Sequence, residues 1–291
     1  MNQKYTLRSD FADEIITLDT KEKAYEHIQK ENEYIRSNYI KVKEDDNGLG
    51  KEKGDYVSIE FANLHDHIVR ETAIEAIVEN LEHMQRNMDI HLSRILIVGL
   101  GNRMITSDAL GPMAASEVMV TAHLYANEET ELLEGTRNVA VLIPGVMGQT
   151  GLESFAIVES VKDTYQPDLI IAIDALATRN IARINRVVQL NNTGIQPGSG
   201  VGNHRKALNE QSLGIPVIAI GVATVTSVGA ILSEALQEAK IDKESVFSYL
   251  NDKKRLDMVV TPKSMDDELK QLIYIVSQSI NRFLHPDFMN L

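Results

Sequence analysis

Residues 168–179 read DLIIAIDALATR. Five consecutive apolar residues, Leu169 to Ile173, are bounded by Asp168 and Asp174. A run too short for a helix, with apolar side chains at both odd and even positions, is what a strand covered on both faces requires. The same pattern recurs in RILIVG (94–99), NVAVLIPG (138–145), RVVQLN (186–191), IPVIAIG (215–221) and DMVVTP (257–262). Amphipathic stretches of crossover length separate most of these runs, so the chain reads as α/β, with a mainly parallel sheet and flanking helices. A closing helix is expected over 265–283. Upstream, Leu64, Ile68, Ile74, Ile77, Leu81, Met84 and Met88 fall at helical spacing and predict one long helix over 63–88. Residues 11–62 are charged and punctuated by glycine, and they read as a polar N-terminal appendage to a single domain that runs to residue 291.

Composition narrows the classes of function. With 291 residues and 43% apolar content, the chain can bury a full core. The absence of cysteine excludes disulfides, thiolate metal sites and a cysteine nucleophile. A formal net charge of −13 argues against direct binding to nucleic acid, because phosphate neutralisation needs a basic face. No stretch approaches the ~20 apolar residues that span a bilayer, and the N-terminus lacks a signal-peptide core, so no membrane association and a cytoplasmic location are expected.

In open α/β sheets the chemistry gathers beyond the carboxyl ends of the strands. That rule selects GLGNRMITSDALGP (99–112), PGVMGQTGLE (144–153), DALATR (174–179), NNTGIQPGSGVGNHRK (191–206) and GVATVTS (221–227). The first loop has two glycines of a dinucleotide fingerprint, but Met104 stands where the third belongs, and no acidic residue ends a second strand at the required distance. Its glycines are read as turn formers. The Gly-rich fourth loop lacks the G-K-[ST] ending of a phosphate loop, and Ser199 is not framed as a serine elbow. His65 and His67 diverge on a helix and read as surface residues. His204, beside Arg205, is the one loop histidine worth testing as a ligand. Asp108 and Asp174 stand on two of the selected loops. If they share a crevice, mutual repulsion leaves one proton between them, which suits activation of water and protonation of a leaving amine. The alternative is that each caps a helix.

The runs GLGNRMITSDALGP, PGVMGQTGLES, PDLIIAIDALATR, TGIQPGSGVGNHRKALNEQSLGIPVIAIGVATV and MVVTPKSMD, in this order over 95–263, closely resemble the germination proteases of spore-forming Firmicutes. The resemblance implies a three-layer α/β fold like that of the hydrogenase maturation proteases. It also implies an atypical aspartic endopeptidase of the spore core, with Asp108 and Asp174 catalytic and no cofactor or metal. The implied substrates are small acid-soluble spore proteins, and the implied assembly is a homotetramer. Family substrates are cut within a motif like Thr-Glu-(Phe or Ile)-Ala-Ser-Glu, after the first acid. SDFADE at 9–14 has the same order of residue types, which marks residues 1–10 as a propeptide released by self-cleavage between Asp10 and Phe11. An acid before the bond calls for a basic subsite, for which Arg179 and Lys263 are candidates. Two alternatives remain: a nickel-dependent maturation-type protease, with His204 as a further ligand, and an inactive module that binds spore proteins.

Overall fold

The computed structural model describes residues 9–16, 24–44, 47, 49–127, 135–198, 205–242, 246–247 and 253–287. Its frame is one nine-stranded mixed sheet in the order β1-β2-β3-β7-β8-β6-β4-β5, with β9 added at the end of β8. The strands are β1 (Tyr25–Glu31), β2 (Ile35–Val42), β3 (Gly54–Phe61), β4 (Arg94–Gly99), β5 (Asn138–Leu142), β6 (Leu169–Thr178), β7 (Val187–Asn191), β8 (Val217–Ser227) and β9 (Val259–Val260). β5, β4, β6 and β8 form the parallel block. The central residues of β4, β6 and β8 are buried on both faces, as the continuous apolar runs require, while β5 is the half-covered edge.

Helices cover both faces, giving a three-layer α/β architecture. On one face lie α1 (His67–Asn87), α2 (Leu110–Ser116) and, near the C-terminus, a long helix over Met265–Leu284. Ile74, Ile77, Leu81 and Met84 of α1 pack with Leu272, Val276 and Ile280 over Ile97, Ile171 and Ile218 of the sheet. On the other face, Phe155 and Val158 of α3 (Ser154–Tyr165) cover Leu96, Val98, Ile170 and Ala172. α4 (Val228–Glu238) follows β8, capped by Ser227, whose hydroxyl accepts from the Ala230 amide. The C-terminal helix is therefore α5. Among the described residues, no helix is long and apolar enough to cross a membrane.

The segment read from composition as an appendage is integral to the sheet. β1, β2 and β3 form an antiparallel meander that joins the parallel block through β7. Almost all of β1 is exposed, β2 alternates buried Ile35, Asn38, Ile40 and Val42 with exposed or half-buried neighbours, and β3 is buried on both faces, Val57 and Ile59 packing with α1 and Tyr56 with Ala12 of the N-terminal segment. β1 is mostly polar and exposed, and β3 carries buried Asp55 and Ser58 among its apolar residues, so composition alone reads the segment as a polar lead. The Arg186–Asn191 run forms β7, antiparallel to both its neighbours.

Two of the parallel strands outrun the others. β4 ends at Gly99, which pairs with Ile173, whereas β6 continues to Thr178 and β8 to Ser227. The two strands thus extend together past the edge of the block, with a bulge at Leu176/Ala177. This arm carries the site.

Candidate active site

Asp174 lies within β6, opposite Gly221 of β8, one residue beyond the level at which β4 stops. Being part of the arm, it is 6% exposed, and its Oδ1 accepts from the Ala175 amide at 2.9 Å. Asp108 reaches the same region from β4. The chain leaves Gly99, turns through Gly101 and folds into a single 3-10 turn, Thr106–Asp108, which rests on the extension of β8. The Thr224 hydroxyl holds this turn by donating to the Ser107 carbonyl at 2.7 Å, and Asp108 Oδ2 accepts from the Asn102 amide at 2.8 Å. Gly101 has φ +117°, and a side chain there would sit 2.2 Å from the Asp108 carbonyl oxygen. The glycines of this loop are thus backbone devices that place Asp108.

Neither aspartate caps a helix. α2 starts from Ala109 without a side-chain cap, and β6 runs on for four residues after Asp174. Burial raises the Asp174 carboxyl well above the ordinary range, and the negative charges of Asp108 and Asp10 add to the rise against the Ala175 amide and Arg205. Burial also raises Asp108, opposed by the Asn102 amide and Arg205. The Asp108 charge thus acts on Asp174, which is the more deeply buried of the two.

The N-terminal segment is seated beside this pair. Asp10 binds the arm by one strand-like bond and one side-chain bond: its amide donates to the Ala177 carbonyl at 3.1 Å, and its Oδ2 accepts from the Ala177 amide at 2.8 Å. Phe11 is fully buried against Leu176, Val187, Ala223 and Ile195. The Arg183 guanidinium covers its ring at 4.8 Å and pairs with Asp13 at 2.8 Å, Glu14 at 2.7 Å and Glu60 at 3.0 Å. Glu14 also accepts from the Thr178 hydroxyl and from the Arg179 amide. The Asp10 carbonyl oxygen accepts from Lys51 Nζ at 2.8 Å and Gln189 Nε2 at 3.0 Å, and Gln189 Oε1 accepts from the Ala12 amide at 2.9 Å. A cavity of about 420 Å³ opens next to Asp10, lined by Lys51, Arg179, Gln189, Asn191 and Gly221 among others.

The sequence-predicted residues fall into three groups. Asp108, Asp174, Asp10 and Phe11 meet in one region. Arg179 lines the cavity beside Asp10, while its backbone serves Glu14. Lys263 is exposed ahead of α5, and the Asp10 side chain accepts from the Ala177 amide. Arg183, which the sequence did not single out, pairs with the acids after the bond, Asp13 and Glu14. His65 and His67 are exposed at the start of α1. His204 lies outside the described residues, and no group of three or more His, Asp or Glu among the described residues is placed to hold a metal ion.

Residues 9–240 match the sequence profile of the germination protease peptidase family, a span that includes both aspartates and the seated segment. The chain belongs to the germination protease family. Among similar curated proteins, the germination protease of Oceanobacillus iheyensis is 43% identical over 69% of this chain and 56% of its own length. That of Caldanaerobacter subterraneus subsp. tengcongensis is 36% identical over 87% of this chain and 86% of its own. That of Clostridium tetani is 35% identical over 97% of this chain and 96% of its own. For a germination protease, a peptidase by family, the seated Asp10–Phe11 segment beside two acidic residues takes on chemical meaning.

Proposed function

We propose that this chain is a self-processing aspartic endopeptidase in which Asp108 and Asp174 are the catalytic pair, Asp10–Phe11 is the bond it cuts in itself, and residues 1–10 are a propeptide. Asp174, its carboxyl raised by burial and by Asp108, holds the shared proton and gives it to the leaving nitrogen. Asp108, less buried and held by the Asn102 amide, is the ionised partner that takes a proton from water. The observation that carries this reading is the placement of the 9–14 segment, with Phe11 in an apolar pocket and the Asp10 charge close enough to act on Asp174. The same seat suits peptides with an acid before the bond, a large apolar residue after it and further acids downstream. Small acid-soluble spore proteins of the spore core, cut during germination, are the substrates that family membership suggests, and a homotetramer is the working form we infer from the same source. Mass spectrometry of the freshly purified chain during incubation tests the reading. We expect conversion to a form that begins at Phe11, and none in Asp108→Asn or Asp174→Asn. Trimming at the same bond in either variant overturns the dyad.

A further inference from the structure

The carbonyl oxygen of Asp10 is the acceptor of two side-chain hydrogen bonds, from Lys51 and from Gln189. Backbone carbonyls in seated segments are ordinarily satisfied by a neighbouring amide. Here the Asp10 amide makes the strand-like contact with Ala177, while the carbonyl is turned to a cation and a carboxamide.

The backbone that carries each donor is anchored outside the segment. Gln189 is buried in the middle of β7, between Ser58 of β3 and Gly221 of β8. It stands between Val188 and Leu190, and it spends both ends of its amide on the segment, one on the Asp10 carbonyl and one on the Ala12 amide. Lys51 sits on a turn fixed by buried Asn47, whose Nδ2 donates to the carbonyls of Glu44 and Lys51 and whose Oδ1 accepts from the Leu49 amide. Lys51 is taken out of water, which works against its charge, and the carboxylates of Asp10, Glu14 and Asp13 support that charge against Arg179.

We propose that Lys51 and Gln189 are catalytic residues that form the oxyanion-binding pair for the peptide bond joining Asp10 to Phe11, and for the corresponding bond of peptides that take the same seat. The inference rests on the reading that this bond is the one hydrolysed. Water's oxygen bonds to the Asp10 carbonyl carbon, the C=O π pair moves onto the oxygen facing Lys51 and Gln189, and water's proton goes to the ionised aspartate. The carbonyl then re-forms, and the C–N bond breaks with its electron pair on the Phe11 nitrogen, which takes the proton held by the other aspartate. The products are a carboxylic acid ending at residue 10 and an amine beginning at residue 11, and the pair again holds one proton. Donors at 2.8 and 3.0 Å from the ground-state oxygen are within reach of the oxyanion, on which they bind more strongly as charge develops. An ammonium donor gives the stronger, charge-assisted bond.

The test is the first-order rate of Asp10–Phe11 cleavage in the full chain, read together with amide exchange at Ala12, which reports whether the segment is seated. Lys51→Met is expected to slow cleavage by about 100-fold with Ala12 exchange unchanged, and Lys51→Arg, which keeps a charged donor, to recover most of the loss. If Lys51→Met does not fold, Lys51→Gln replaces it under the same criteria. A rate within threefold of wild type overturns the proposal, and so does a slow rate accompanied by an exposed Ala12 amide, since Lys51 then only seats the segment. If wild type leaves this bond intact, the self-processing reading falls and takes the oxyanion pair with it. Cleavage that requires Asp108 and Asp174 but not Lys51 removes the oxyanion pair alone.

Discussion

An aspartate whose folded-state pKa lies above its unfolded one binds its proton over a range in which the unfolded chain has released it, so it lowers stability as pH rises. For Asp174 the contribution to stability is full below the ordinary carboxylate range and is lost as pH climbs through the raised value. Asp174→Asn removes that loss. Thermal melting at about pH 8 is expected to show the variant a few degrees above wild type, with the two curves converging as pH falls towards the ordinary carboxylate range. Cleavage by the same variant, and by Asp108→Asn, is expected to fall roughly a thousandfold, because an amide cannot exchange the proton of the pair. Gain of stability with loss of activity is the signature of a site residue, whereas a helix cap would lose stability and keep activity. Arg183 makes the opposite prediction. It is 6% exposed and faces Asp13, Glu14 and Glu60, so Arg183→Met strands buried carboxylates at a cost of about 3 kcal/mol, read from denaturant unfolding, and unseats Phe11. Asp108 and Asp174 stood out as candidates because each follows an apolar run near the carboxyl edge of the sheet, although β6 itself continues past Asp174. Lys51, Arg183 and Gln189 did not, since they lie in segments without a motif and come together only through the strand order β3-β7-β8-β6. Gln189 left one trace, a carboxamide inside an apolar run.

At the scale of elements, the parallel block was legible because strands buried on both faces leave continuous apolar runs. The meander was not, because β1 is almost wholly exposed and β3 buries Asp55 and Ser58 among its apolar residues, so neither leaves a continuous apolar run. Nor did the apolar runs show that β6 and β8 overshoot β4, which is a matter of register. The run DLIIAID suggested a strand ending at the aspartate, yet ALAT continues it and supplies Ala177 for the docked segment. The junction between β4 and α2 makes a sharp prediction. A Cβ on Gly111 would lie 2.2 Å from the Leu100 carbonyl oxygen and 2.4 Å from that of Ile173, both backbone atoms of the sheet edge. Gly111→Ala must push α2 away from β4 and β6, and the 3-10 turn that ends at Asp108 moves with it. Despite the better helix propensity of alanine, we expect a stability loss of about 2 kcal/mol or more in denaturant unfolding and cleavage slowed at least tenfold. Unchanged stability would show that the helix can shift freely and that Asp108 is not held by this contact.

Over the whole molecule, a chain of net charge −13 holds three acidic side chains, Asp10, Asp13 and Glu14, against its own surface. Long-range repulsion opposes that contact, and the local cations Arg183 and Lys51 offset it in a partly buried setting where salt screens poorly. The segment's tie to the sheet also makes its presence at the seat independent of protein concentration, since residues 9–16 and the arm belong to one chain. Self-cleavage is therefore expected to be first order, with the same half-life on tenfold dilution. Addition of wild-type chain to intact Asp174→Asn chain should leave the latter uncut during the half-life of the former, as followed by mass spectrometry with the variant isotopically labelled. A half-life that lengthens on dilution, or trimming of the labelled variant at Asp10–Phe11 at a comparable rate, would mean that the segment leaves its own seat before it is cut and is processed by another molecule. Phe11→Lys provides the matching check on the pocket: a cation facing Arg183 and the apolar walls formed by Leu176, Val187 and Ala223 should block self-cleavage while leaving Asp108 and Asp174 in place.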